Sequence, residues 1–366
     1  MPQRPNFKRK KSTMSIFFTP KMKKLIVGVL VMLVTGPLWA GNNNRAGSAG
    51  VPQLLILPWA RTGALAGSNL ANVRGMEAMT FNVAGLAFTD GIEVGLGNIL
   101  YMGNSGIYVN SLGLALRLGE SSSTLGLSVT QVSYGDIEVT TTELPEGGAG
   151  TFSPGFLSLG LSYAKEFSNS IYGGITLKMV SESIANVSAS AIAFDAGINY
   201  VTGDRENIKF GITLRNVGGQ LKFKGDGLDV QATQQNATNV STLQSRSEGF
   251  EMPAQMGLGV TYDLYLSETS ILDLNFTYLA NSFTKDQFNF GVGFGFKDLV
   301  HLSFGYLYEN GITDSAVRNT VYTGPAAGLT VNIPIGKAGS VLGLDYGYRF
   351  TNPYNGFHQF ALRFGF

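Results

Sequence analysis

The sequence has no cysteine, two histidines and little charge, and each shortage removes a class of function. Without cysteine there is neither a disulfide framework nor a lipid-anchoring lipobox. His301 and His358 stand at no metal-ligand spacing, and without thiolates a zinc site is not expected. Charged residues make up 14% of the chain, well under the roughly 25% of soluble domains. The net charge is +1 and no basic cluster follows residue 40, which argues against nucleic acid. Only 12 Pro stand beside 24 Phe and 15 Tyr, so the low charge does not signal disorder. No G-x-S-x-G elbow is present. Gly291-x-Gly293-x-Gly295 lies within an alternating strand rather than at a strand-to-helix turn, so it is no dinucleotide fingerprint. Asn236-Ala237-Thr238 and Asn239-Val240-Ser241 read as a polar loop. No cofactor, metal or catalytic residue is expected, and no enzymatic activity.

What charge there is gathers at the start. Lys8-Arg9-Lys10-Lys11 and Lys21, Lys23 and Lys24 lead into the apolar run Leu25–Val34, which is too short to span a bilayer as a helix. Gly36-Pro37 and Leu38-Trp39-Ala40 follow, so residues 1–40 read as a signal peptide cleaved after Ala40, although Leu38 departs from the small-residue rule. An uncleaved anchor helix is the alternative, and translation could begin at Met1, Met14 or Met22.

Beyond Ala40 no run approaches a membrane helix, so any span is built from strands. In Phe288–Phe296 every second residue is bulky and apolar and every residue between is Asn or Gly. Strand side chains alternate between faces, so one face is oily and the other small and neutral. A neutral second face suits an enclosed lumen, whereas a soluble sandwich would cover it with Lys and Glu. Such alternation predicts about fourteen strands of roughly ten residues: 91–101, 106–118, 123–133, 154–165, 170–182, 190–201, 206–216, 252–264, 270–281, 286–297, 299–308, 325–333, 341–350 and 357–366. The long connections 134–153, 217–251 and 309–324 are the third, seventh and eleventh, all on one side; the other side has short turns. The fold class is therefore all-β: a transmembrane antiparallel barrel of about 14 strands over 91–366, with an N-terminal plug over 41–90.

Alternation also sorts the scarce charges. Arg117, Lys178, Lys209, Arg215, Asp263, Asp273, Asp345, Arg349 and Arg363 fall on the lumen side, as does His301, whereas His358 falls outside. These charges either tie the plug in place through Arg61, Arg74, Glu77 and Asp90 or line a solute path. Inward glycines such as Gly257, Gly259, Gly291, Gly293, Gly295, Gly343 and Gly347 weaken strands, so they mark either close approach of another backbone or easier curvature. The 217–251 loop, polar at its tip and bearing Leu221, Phe223, Lys224 and Leu228 at its base, is the candidate partner site.

The plug region carries Ala60-Arg61, the small-residue run Gly63–Gly67 and Phe81-Asn82-Val83-Ala84-Gly85-Leu86. These resemble the PorV/PorQ family of Bacteroidetes outer-membrane proteins, relatives of FadL-type fatty-acid channels. Val83 stands where that family has Pro. The resemblance implies a hatch bearing Phe81 and Asn82, an outer-membrane lipid setting and a role in type IX secretion. The implied partners are a large translocon barrel and the C-terminal domains of secreted cargo. The alternative expectation is a FadL-like channel for a hydrophobic or small solute; a purely structural barrel is the third.

Overall fold

The computed structural model describes residues 45–103, 105–119, 122–233, 240–336 and 339–366; the signal peptide expected over 1–40 lies outside them. Fourteen antiparallel strands form one closed barrel. In chain order they are β1 (Ile92–Tyr101), β2 (Ile107–Arg117), β3 (Ser123–Ser133), β4 (Gly155–Ser168), β5 (Ile171–Ile184), β6 (Val187–Thr202), β7 (Ile208–Gly218), β8 (Gln255–Tyr265), β9 (Ser270–Asn281), β10 (Gln287–Phe296), β11 (Val300–Glu309), β12 (Tyr322–Ile335), β13 (Ser340–Thr351) and β14 (Phe357–Gly365). Each pairs with its neighbours in sequence, and β14 closes on β1 with Leu362 opposite Leu96 and Phe364 opposite Val94. Closure pairs the backbone groups that an open edge would leave bare, a requirement inside hydrocarbon.

The alternation resolves as predicted. Leu161, Ile175 and Phe304 point outward and are 59%, 61% and 59% exposed. Soluble monomers rarely show an apolar patch larger than about a few hundred Å². Here bulky apolar residues recur on the outer face of strand after strand, which suits lipid rather than water. No described helix is long and apolar enough to cross a membrane. One rim carries the short turns and the ends of β14 and β1; the other carries the three long connections.

Residues 50–90 run inside the barrel as 3₁₀ turns over Pro52–Leu55, Gly75–Thr80 and Val83–Phe88 and a short helix Ala60–Ala64. Small residues and frequent glycine keep these pieces short. Gly67 and Gly75, at φ +73° and +71°, take the left-handed conformation that the reversals demand. Trp59, Leu70, Met76, Met79, Phe81 and Leu86 are buried between this segment and the wall.

Both readings of the inward glycines meet a third. Gly257 and Gly259 face Leu70 and Ala71, Gly291 faces Ser68 and Gly347 faces the Ala60 carbonyl, so here the inner segment does approach closely. A Cβ on Gly305 would stand 2.3 Å from the Leu65 carbonyl carbon. Gly293, Gly295 and Gly343 instead make room for the side chains of Asp273, His301 and Arg363 on neighbouring strands.

The loop expected to lack structure is partly ordered. Leu221–Lys222 pairs with Gly249–Phe250, and Asp229–Thr233 with Val240–Gln244, as a hairpin ladder in the second long connection. Its strands are short and mostly polar, which is why alternation does not reveal them.

Gly305→Ala is expected to lower barrel stability by about 1–3 kcal/mol, because the inner backbone blocks the added methyl. Gly365→Ala, whose Cβ meets nothing within 4 Å, is the control. Heat-modifiable electrophoretic migration reads both.

Candidate functional site

The inner segment divides the lumen into two chemically unlike compartments. Toward the long-loop rim, the wall contributes Ile99, Val109, Val132, Phe156, Val180 and Phe357, all buried. Val51, Leu54 and Ile56 of the inner segment fill this apolar chamber, and Leu221, Phe223 and Met252 from the long loop roof it. Few polar contacts hold the top of the segment. The Gly50 amide donates to the Glu251 carbonyl at 2.9 Å, Gln53 Nε2 donates to the Tyr134 hydroxyl at 2.5 Å, and Arg45 pairs with Glu251 at 2.7 Å.

Toward the short-turn rim the lumen opens as a polar vestibule of about 480 Å³, lined among others by Arg61, Arg74, Lys209, Asp263, Asp273 and His301. The predicted lumen charges all point inward, but most are matched rather than displayed. Arg363 Nε donates to Asp345 Oδ2 at 2.6 Å, and Thr330 donates to Asp345 Oδ1 at 2.7 Å. Lys209 Nζ donates to Asp263 and to Asn72, each at 2.6 Å. Lys178 pairs with Asp195 and donates to Asn216. Arg349 stacks on Tyr322, 3.6 Å from the ring centre.

The ties between segment and wall differ from the expected ones. Arg61 Nε meets Glu77 Oε1 at 2.7 Å within the segment itself, and Arg74 covers the Phe88 ring at 4.3 Å. Burial works against the Arg61 charge, yet Glu77, Asp345 and Glu93 hold its pKa above the ordinary value. Among the described residues, ion pairs from segment to wall are Glu77 with Arg363 at 3.9 Å and Asp90 with Arg117 at 3.8 Å. Most ties are hydrogen bonds to the segment's backbone, because its 3₁₀ turns leave carbonyls unpaired. Arg215 donates to the Thr80 carbonyl at 2.8 Å, Arg117 to Thr89 at 3.2 Å and Thr277 to Ser68 at 2.7 Å. Asn82 caps its own turn through Ala84 and donates to the Leu70 carbonyl and to Asn199 Oδ1. Phe81 lies under Arg215, 5.3 Å from ring centre to guanidinium.

Sequence reasoning overlooks Asp195 and Asn199, although both lie on the inward parity of β6 with Ala193 and Gly197. Of the loop candidates, Leu221 is buried in the chamber roof and Phe223 packs against it, so neither is presented outward; Lys224 is exposed and Leu228 half-buried. Among the loop's described residues, Val230, Val240 and Leu243 on the hairpin are exposed apolar groups, as is Phe250 at its base.

Arg363→Met is expected to destabilise the barrel by about 3–5 kcal/mol, since Asp345 stays buried without its cation. Adding Asp345→Asn should recover much of that loss in urea unfolding.

No protein-family model and no curated protein matches the sequence. Among solved structures the chain is similar to the CymD monoaromatic hydrocarbon channel, with 14% identity, a TM-score of 0.52, and 84% of this chain and 97% of that one covered. The P. putida toluene transporter TodX gives the same values. A P. aeruginosa FadL homologue shows 12% identity and a TM-score of 0.50 over 85% and 98% of the two chains. At this identity the likeness speaks for the fold alone: a FadL-like fourteen-stranded barrel.

Proposed function

We propose that the protein is an outer-membrane channel for a hydrophobic solute, with the long loops facing outward. The observation that carries this reading is the apolar chamber at the long-loop rim. Its wall is built from Ile99, Val109, Val132, Phe156, Val180 and Phe357, yet its occupants Val51, Leu54 and Ile56 come from a separate segment. An apolar pocket that binds a solute needs such a lining with few polar groups. The occupying stretch is anchored mainly at its top, whereas residues 59–88 are tied to the wall at many points. Withdrawal of Val51–Ile56 would therefore free the chamber without unfolding the barrel. The fold shared with the CymD monoaromatic hydrocarbon channel and the toluene transporter TodX supports a solute of this kind.

A rim lock tests the reading. An ideal Cβ on Gly50 lies 2.8 Å from Phe250 Cβ, close enough for a disulfide after a small adjustment. The chain has no cysteine of its own. Gly50→Cys with Phe250→Cys should take up a hydrophobic solute into whole cells when reduced and lose at least about tenfold of that rate when oxidised. Equal uptake in both states would exclude displacement of this segment.

A second reading, a PorV-like component of type IX secretion, is favoured by the Phe81–Leu86 motif and by the exposed hairpin bearing Val230, Val240 and Leu243. A large translocon barrel or a cargo C-terminal domain would dock on that hairpin. Stoichiometric copurification of either in mild detergent, lost on removing residues 229–244, is the expected result; recovery of the barrel alone would end it.

A further inference from the structure

The outer wall is hollowed over part of its circumference. Across β12, β13, β14, β1, β2 and β3 it is concave, forming a groove of about 750 Å³. Strand register resolves its lining into two parallel rows of outward side chains. Leu329, Tyr346, Phe360, Asn98, Asn110 and Gln131 form the row nearer the long-loop rim. Val331, Leu344, Leu362, Leu96, Leu112 and Val129 form the row beneath it. The groove has a cause inside the barrel. Gly95, Gly97, Gly113 and Gly126 place no side chain inward at these points of β1–β3, so Met76, Trp59 and Met79 pack close against the wall there.

The two rows differ in chemistry. The lower row is wholly aliphatic, whereas the upper row places three primary amides side by side on β1, β2 and β3. Asn98 Nδ2 donates to Asn110 Oδ1 at 2.8 Å, which leaves the Asn110 amide nitrogen and the whole Gln131 amide without a side-chain partner among the described residues. Unpaired amides facing hydrocarbon are costly, because nothing there can replace their hydrogen bonds to water. No outward side chain of the groove is charged. One row further toward the rim, about 7 Å along the strand, stand His358 and Tyr108, the latter a residue type enriched at membrane interfaces.

We propose that this groove is a binding site for one diacyl ester lipid of the surrounding bilayer. The Asn110 and Gln131 amides donate to its ester carbonyls, which are neutral acceptors, and the acyl chains lie along the row from Val331 to Val129. A charged headgroup finds no partner in the groove itself and projects past it toward the rim. A second copy fits poorly, because a two-fold interface would set one concave face against another. The volume falls within the roughly 300–1,000 Å³ of ligand pockets. The site rests on the barrel's residence in a membrane and is independent of the channel reading.

Native mass spectrometry of the full-length barrel, delipidated in detergent, tests it. The probes are palmitoyl-oleoyl phosphatidylethanolamine and its dialkyl ether analogue, which lacks the carbonyls. Wild type should bind one ester lipid at least about tenfold more tightly than the Asn110→Leu/Gln131→Leu variant, and the ether analogue should bind both alike. Leu112→Trp, which fills the lower row and keeps the amides, should also weaken ester binding. Equal ester binding by wild type and the leucine variant, or no preference of wild type for ester over ether, would overturn the proposal. So would light scattering showing a wild-type dimer that the leucine variant abolishes. Unchanged heat-modifiable migration identifies folded variants.

Discussion

The structure depends on the contact between two backbones inside the barrel. Where inward wall positions are glycine, as at Gly305 and Gly347, the inner segment's backbone lies directly against the wall, and its bulky side chains pack into the space beside those points. At the level of those contacts the bulky side chains of the strands stand on the outer face. The same substitution pattern thus sets an oily exterior and a filled interior, and neither could change without the other. The cost of so many strand glycines is conformational entropy, offset by packing and hydrogen bonds available only at this close range.

Polarity in the lumen follows from the same contact. The segment's short helical turns leave carbonyls that no longer helix would leave, and the wall answers with Arg215, Arg117, Thr213 and Thr277. Lys178 with Asp195 and Lys209 with Asp263 neutralise each other between neighbouring strands, and Lys209 also reaches Asn72 of the segment. Much of the lumen's charge is therefore paired, and the lumen is apolar where the segment is least anchored.

Much of this was legible in the residues. Period-two alternation is decided by burial on two faces, so the strands, their even number and the inward charges could be read one by one. Placement of the long loops followed from parity. The partners of Arg61 and Arg74 were not legible, because a segment without periodicity gives no sign of which way its side chains turn. Leu221 and Phe223 looked like a docking surface for a similar reason: an apolar residue in a loop can face outward or roof a chamber, and only packing decides. The hairpin at Asp229–Gln244 is too short and polar for alternation to register. Asp195 was readable by parity and simply missed.

Removing the inner segment tests this dependence most directly. Residues 91–366 would be expressed behind a bacterial export signal, with residues 50–90 supplied or withheld, and the heat-resistant folded form measured in membranes. The account predicts that the barrel without the segment loses that form. A barrel of residues 91–366 as heat-resistant as the intact protein would contradict it.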